Sequence, residues 1–133
     1  MTNFIRWSLG LLLLLVGSLA FGAEYGPYCS GGTPTIDEPP NSVTIKADDE
    51  GCSAGYGVTL TITSQKDIRF AGNIKNANSV TCTSKGGDII VVGDITGQST
   101  VTFTASKGKI VIKGTVEPSA HVTCTPRADK CTN

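Results

Sequence analysis

Residues 80–97 read VTCTSKGGDIIVVGDITG, and residues 101–116 read VTFTASKGKIVIKGTV. Laid over each other with Val101 on Val80, the two stretches match column by column. Val-Thr-x-Thr opens both. It also occurs as Val58-Thr59-Leu60-Thr61 and Val122-Thr123-Cys124-Thr125, so the motif returns at Val58, Val80, Val101 and Val122. The last two steps are equal, and the first is longer by a single position. Ile68, Ile89 and Ile110 share a column, as do Phe70, Val91 and Ile112. Gly72, Gly93 and Gly114 form a glycine column, read as permitting a sharp corner, and Ile74, Ile95 and Val116 a further apolar one. The longer first step places one extra residue between Thr61 and Asp67.

Inside each unit apolar residues alternate with others. Val101, Phe103, Ile110 and Ile112 point one way, and Thr102, Thr104 and Val111 the other. A period of two is the mark of strands. Each unit therefore holds two clear strands and a short third one near Ile95 or Val116, parted by corners such as Lys85-Gly86-Gly87-Asp88. A unit of this size cannot bury a face alone, and units repeated in register stack into a solenoid. The expected fold is all-β, a parallel β-solenoid (β-helix) of about three and a half coils. An antiparallel sandwich suits the length but does not explain columns at one fixed period.

Outside the repeat the chain divides simply. Residues 1–23 combine Arg6, an apolar run from Trp7 to Phe21 and small residues at Ala20, Gly22 and Ala23, the pattern of a secretory signal peptide. The run is broken by Gly10, Gly17 and Ser18 and is short of the ~20 residues that span a bilayer. Residues 24–56 are read as an N-terminal cap, 57–125 as the coils and 126–133 as a C-terminal cap or tail. The whole chain carries eleven Lys and Arg against eleven Asp and Glu. Removal of Arg6 with the leader leaves a net charge near −1, which argues against nucleic acid as a partner.

Five cysteines, Cys29, Cys52, Cys82, Cys124 and Cys131, lie beyond the leader. Export makes disulfides the default, and the odd number leaves one thiol over. A Cys29–Cys52 bridge would tie the N-terminal cap, and a Cys124–Cys131 bridge the C-terminal tail. Cys82 and Cys124 share a column two coils apart, roughly 9–10 Å at the usual strand spacing, beyond the reach of a disulfide. Cys82 is then the odd thiol, a small buried hydrophobe.

The repeats Val80–Gly97 and Val101–Val116 resemble the coils of filamentous-haemagglutinin-type secreted proteins and autotransporter passengers. That resemblance covers roughly residues 57–125 and implies a β-helix in an exported setting. The chain is much shorter than those proteins.

With Val and the variable residue of each Val-Thr-x-Thr inward, the threonines face out. Thr59, Thr81, Thr102 and Thr123 would form one file, and Thr61, Thr83, Thr104 and Thr125 a second. The files would lie about 6–7 Å apart, with a repeat of ~4.8 Å along the stack. Threonine also suits any solvent-facing strand. The ordered array resembles the ice-binding face of insect β-solenoid antifreeze proteins, where paired threonines meet the ice lattice through methyls and hydroxyls. On the second strand Ile90, Val92 and Val111 point outward and are candidates for self-association, unless a cap segment covers them.

Chemistry has thin support. His121 is the only histidine and falls at a corner, and Asp48-Asp49-Glu50 is the only acidic cluster. Neither composes a nucleophile–base set. No zinc, calcium or phosphate-loop spacing occurs, so no cofactor and no metal is expected. The sequence points to a non-enzymatic secreted protein of extracellular or cell-surface location, structural, adhesive or self-assembling. Ice binding is the alternative, and a polysaccharide-active β-helix enzyme a distant one. The partner is an extracellular surface, ice or a second copy of the chain, with no membrane once the leader is removed.

Overall fold

The computed structural model describes residues 22–37 and 40–132. The proposed signal peptide lies almost wholly outside the described residues. The chain winds as a parallel β-solenoid, and three short strand segments recur in each turn. The first coil contributes β1 (Ala23–Tyr25), a single bridging residue, Tyr28, and β2 (Thr35–Asp37). The second contains β3 (Val43–Ile45), β4 (Cys52–Ala54) and β5 (Thr59–Ser64). The third holds β6 (Ile68–Phe70), β7 (Asn73–Lys75) and β8 (Ser79–Ser84), and the fourth β9 (Ile89–Val91), β10 (Ile95–Thr96) and β11 (Thr100–Ala105). The last has β12 (Ile110–Ile112), a bridge at Val116 and β13 (His121–Thr125). No helix occurs among the described residues.

Three parallel sheets follow. Sheet A runs β1-β3-β6-β9-β12, sheet B runs β4-β7-β10 with Tyr28 and Val116 at its ends, and sheet C runs β2-β5-β8-β11-β13. The coil count is thus about five, not three and a half. The segment 24–56, expected as a cap, forms two further coils. Its strands pair like the rest, Ala23 with Val43 and Val43 with Ile68. The step from Ala23 to Val43 is shorter than the step from Val43 to Ile68, so no fixed period announces these coils.

Inward residues stack in columns between the sheets. Sheet A supplies Val43, Ile68, Ile89 and Ile110, and beside them Ile45, Phe70, Val91 and Ile112. Sheet B supplies Ala54, Ile74 and Ile95. Sheet C supplies Leu60, Val80, Val101 and Val122, then Ile36, Ile62, Cys82, Phe103 and Cys124. Full burial of a large apolar side chain stabilises by about 1.5–3 kcal/mol. Phe70 and Phe103 meet across the interior with ring centroids 6.2 Å apart and planes tilted by 44°, which joins sheet A to sheet C.

The glycine column has a different cause from the one expected. Gly72, Gly93 and Gly114 do not take the left-handed backbone conformation. They are glycines because successive coils touch there. A Cβ on Gly93 would sit 2.6 Å from the carbonyl carbon of Gly72. The corners are held by side chains that accept the next coil's amide, where the strand ladder pauses. Asp67 Oδ1 accepts from Asp88 N (2.8 Å), and Asp88 Oδ1 from Lys109 N (2.9 Å). Asn73 Oδ1 accepts from Asp94 N, and Asp94 Oδ1 from Thr115 N, both at 2.8 Å. These ladders satisfy backbone donors that would otherwise have no partner at the turn.

Two disulfides form, Cys29–Cys52 and Cys124–Cys131, with Cα separations of 6.3 and 6.0 Å. Cys82 is a free, buried thiol. Phe103 stands between Cys82 and Cys124 in their shared column, so the two sulfurs cannot meet. Both bridges indicate an oxidising environment for this chain. Among the described residues no helix is long and apolar enough to cross a membrane.

Candidate functional site

The outer face of sheet C is the most regular surface of the molecule. Strand alternation sends Leu60, Ile62 and Ser64 of β5 inward and Thr59, Thr61 and Thr63 outward. The same alternation holds in β8, β11 and β13. Parallel in-register pairing then places like on like. Thr35, Thr61, Thr81, Thr102 and Thr123 form one continuous file, one residue from each coil. Asp37, Thr63, Thr83, Thr104 and Thr125 form the next.

This corrects the register expected for the first copy of the motif. Thr61 pairs with Thr81, not with Thr83, and Thr59 pairs with Ser79, not with Thr81. The four-letter match at Val58 is therefore offset by two positions, and Leu60-Thr61-Ile62-Thr63 is the segment that aligns with Val80-Thr81-Cys82-Thr83. The count at the corner changes sign as well. Ser64 pairs with Ser84 and Ile68 with Ile89, so the corner after β5 is one residue shorter than the corner after β8, whereas the motif match predicts an extra residue there. Thr59 falls in a third file with Ser79, and Thr100 and His121 continue that file toward the last coil. His121 is thus the exposed first residue of β13, opposite Thr100, and does not lie in a corner.

Beyond Asp37 in the first coil the face carries no Asp, Glu, Lys or Arg. Its central residues Thr81, Thr83, Thr102 and Thr104 are half-buried by their neighbours, and Thr61, Thr123 and Thr125 are exposed. Among the described residues, the hydroxyls of Thr61, Thr63, Thr81, Thr83, Thr102, Thr104, Thr123 and Thr125 make no hydrogen bond within the chain. Several buried serine hydroxyls are committed instead to the backbone. Ser53 Oγ donates to Ile45 O, Ser84 Oγ to Lys66 O and Ser99 Oγ to Thr96 O. Even Thr59, at the margin of the face, accepts from Asn78 Nδ2 at 3.0 Å. The face is a lattice of methyls and unengaged hydroxyls on a rigid backbone.

Ile90, Val92 and Val111 lie on the outer face of sheet A and are half-buried. Ile90 pairs with Arg69 on one side and Val111 on the other. The file therefore passes from polar Glu24, Thr44 and Arg69 to apolar Ile90 and Val111. At the last coil the exposed edge of β13 is occupied. Val122 N donates to Thr132 Oγ1 at 2.8 Å, and Thr132 N donates to Val122 O at 2.7 Å. Lys130 Nζ donates to Gly114 O at 2.6 Å, which ties the tail across the same end.

The acidic cluster Asp48-Asp49-Glu50 shapes the loop between β3 and β4. Asp48 Oδ1 accepts from Glu50 N and Cys52 N, each at 2.9 Å. The Asp48 carboxylate also lies within 4.8 Å of the sulfurs of Cys29 and Cys52, but those sulfurs are bonded to each other and offer no thiolate to a metal. Burial pushes the Cys82 thiol well above its ordinary value, which keeps it protonated and unreactive.

One residue escaped the sequence reading. Tyr56 is the one large hydrophobic side chain that stands exposed among the described residues, at 79%. Its signal was an aromatic set between Gly55 and Gly57, in a segment without repeat character. Comparison with family models, curated proteins and solved structures returns no match, so the fold and its faces stand on geometry.

Proposed function

We propose that this chain is an exported, non-enzymatic surface-binding β-solenoid, an adhesive extracellular component whose contact face is the outer side of sheet C. The observation that carries this reading is the pair of in-register threonine files whose hydroxyls have no partner within the described residues. A rigid array orders its groups before contact, so binding costs little side-chain entropy. Its neutrality suits an uncharged, ordered surface with a repeat of its own. The disulfides and the leader-like residues 1–23 support an extracellular location.

Ice is the second reading, favoured by the corrected register. The first file has a threonine in every coil, and the methyl and hydroxyl of each repeat at the strand spacing of ~4.8 Å. End-to-end assembly has less support, because Thr132 already occupies the edge of β13 at Val122.

Adsorption tests this proposal. The purified protein is mixed with growing ice and, separately, with crystalline cellulose and chitin particles, and the bound fraction is compared with that of the Thr81→Lys, Thr102→Lys double variant. The wild type is expected to partition onto at least one solid. The double variant should lose at least about tenfold in adsorption, roughly 1.4 kcal/mol, with an unchanged circular dichroism spectrum. Shaped crystals and a freezing-point gap would select ice. A wild type that adsorbs to none of the solids, or a double variant that adsorbs as well as the wild type, would remove the threonine face from consideration.

A further inference from the structure

We infer that the corner between sheets B and C is a carbohydrate site in which a neutral oligosaccharide lies across the ring of Tyr56. This site borders the third file of sheet C at Thr59 and Thr100 and lies apart from the files of Thr61–Thr123 and Thr63–Thr125. A groove of about 330 Å³ runs along the corner, lined by Tyr56, Asn76, Asn78, Gln98 and Thr100 and floored by the buried Ala77. A second groove of about 250 Å³ also borders Tyr56, with Asp48, Glu50 and Lys75 on its walls. Tyr56 and Asn76 border both, so the ring stands on the ridge between them.

Tyr56 presents its ring to solvent instead of packing it on the core, and a tyrosine ring offers an apolar face with a polar tip. Here the backbone beneath it is fixed. Gly55 N donates to Tyr28 O at 2.8 Å in the coil before, and Gly57 N to Asn76 O at 3.2 Å in the coil after. The Cys29–Cys52 disulfide packs against the same turn, with Cys52 Sγ 3.1 Å from the position of a Cβ on Gly55. The ring is displayed on a rigid mount.

The groups around it select the ligand. Asn76 Oδ1 accepts from Gln98 N at 3.1 Å, and Asn78 Nδ2 donates to Thr59 Oγ1 at 3.0 Å. The amide ends left for a ligand are therefore Asn76 Nδ2, a donor, and Asn78 Oδ1, an acceptor. Gln98 and Thr100, both exposed, add an amide and a hydroxyl. A pyranose has an apolar face of C–H groups that lies flat on an aromatic ring, and a rim of hydroxyls that both donate and accept. That chemistry fits one ring bordered by neutral amides. Stacking of a nucleobase would bring a phosphate, and the larger groove has no cation on its wall to receive one. In the smaller groove Glu50 can accept from sugar hydroxyls and Lys75 can donate to them.

The test is a titration of the protein with cellotetraose, chitotetraose and mannotetraose, followed by amide and aromatic NMR shifts. At least one sugar should give saturable shifts confined to Tyr56, Gly57, Asn76, Asn78, Gln98 and Thr100. Tyr56→Ala should weaken that sugar about tenfold, whereas Tyr56→Phe, which keeps the ring, should bind within about twofold of the wild type. The Thr81→Lys, Thr102→Lys variant should bind it unchanged, which separates this site from the threonine face. Tyr56 is exposed, so its replacement leaves the fold intact. Absence of shifts for all three sugars up to ~10 mM, a range that covers millimolar binding, would overturn the inference. So would shifts centred on Thr81, Thr83, Thr102 and Thr104, or a Tyr56→Ala protein that binds as the wild type does.

Discussion

The outer faces of sheets A and C are built on the same coils, with the same parallel pairing, and they differ completely in chemistry. On sheet C each coil repeats Thr over Thr, from Thr61 through Thr81 and Thr102 to Thr123. On sheet A the file changes from coil to coil, through Glu24, Thr44, Arg69, Ile90 and Val111. Inward residues cannot vary so freely, because each must fill the space between the columns above and below it. Stacking therefore constrains the inside and leaves the outside open. Sheet C keeps threonine from Thr61 to Thr123 and from Thr63 to Thr125 although stacking does not require it, and sheet A shows the varied case.

The sharpest blow to both faces at once is struck in the core. Phe103→Ala removes the ring that meets Phe70 across the interior and should cost about 3–5 kcal/mol. Urea denaturation would show it as a lower midpoint with little change of slope. A loss below ~1 kcal/mol would mean that the sheets are not coupled through this pair.

The next effect is a dependence on pH. Burial raises the folded Cys82 thiol above its ordinary value of 9.0. The folded chain then holds a proton that the unfolded chain releases above that value, so stability is fully present below pH 9.0 and falls as pH rises past it. Each unit above the unfolded value should remove about 1.4 kcal/mol. A Cys82→Val variant lacks this contribution, and the difference between the two denaturation midpoints should widen from neutral to alkaline pH. Parallel curves would show that Cys82 is not desolvated.

Smaller still is the corner ladder under sheet B. Asp94→Ala deletes the acceptor of Thr115 N and should destabilise by about 1 kcal/mol. Hydrogen exchange should rise at Thr115 and remain unchanged at Ile110. Last come the two faces themselves. Ile90→Ser on sheet A should shift stability by less than about 0.5–1 kcal/mol, leave adsorption through sheet C intact and reduce any self-association seen by sedimentation. An Ile90→Ser protein that lost adsorption would reverse the roles assigned to the two faces.

Much of this architecture was legible in the residues. The columns of Ile68, Ile89 and Ile110 and of Phe70, Val91 and Ile112 pair as read, both disulfides form, and Cys82 is the buried odd thiol. The misread register at Thr59 has a physical cause. Alternation has a period of two, so a slip of two positions keeps every side chain on its proper side and leaves the pattern unchanged. Val58-Thr59-Leu60-Thr61 and Leu60-Thr61-Ile62-Thr63 are equivalent to that pattern. Only the hydrogen-bonded neighbour, through the shortened corner at Gln65-Lys66-Asp67, selects one of them. The N-terminal coils were hidden for a related reason. Their corners differ in length, so the returns from Ala23 to Val43 and from Val43 to Ile68 are unequal and no column forms on the page.

The residues by themselves determined that the chain coils, because a fixed step with apolar alternation can be buried only by stacking one turn on the next. They also determined which side of each strand faces inward, since the hydrophobic effect acts on the pattern directly. The tertiary structure decided what depends on contact between distant coils. It set the number of turns and which threonine lies over which. It joined the glycine column to backbone crowding and lifted Tyr56 onto a ridge between two grooves. Local pattern carries the information for facing in or out, whereas neighbourhood across coils is settled by corner lengths and hydrogen-bond registry, which no single stretch of sequence contains.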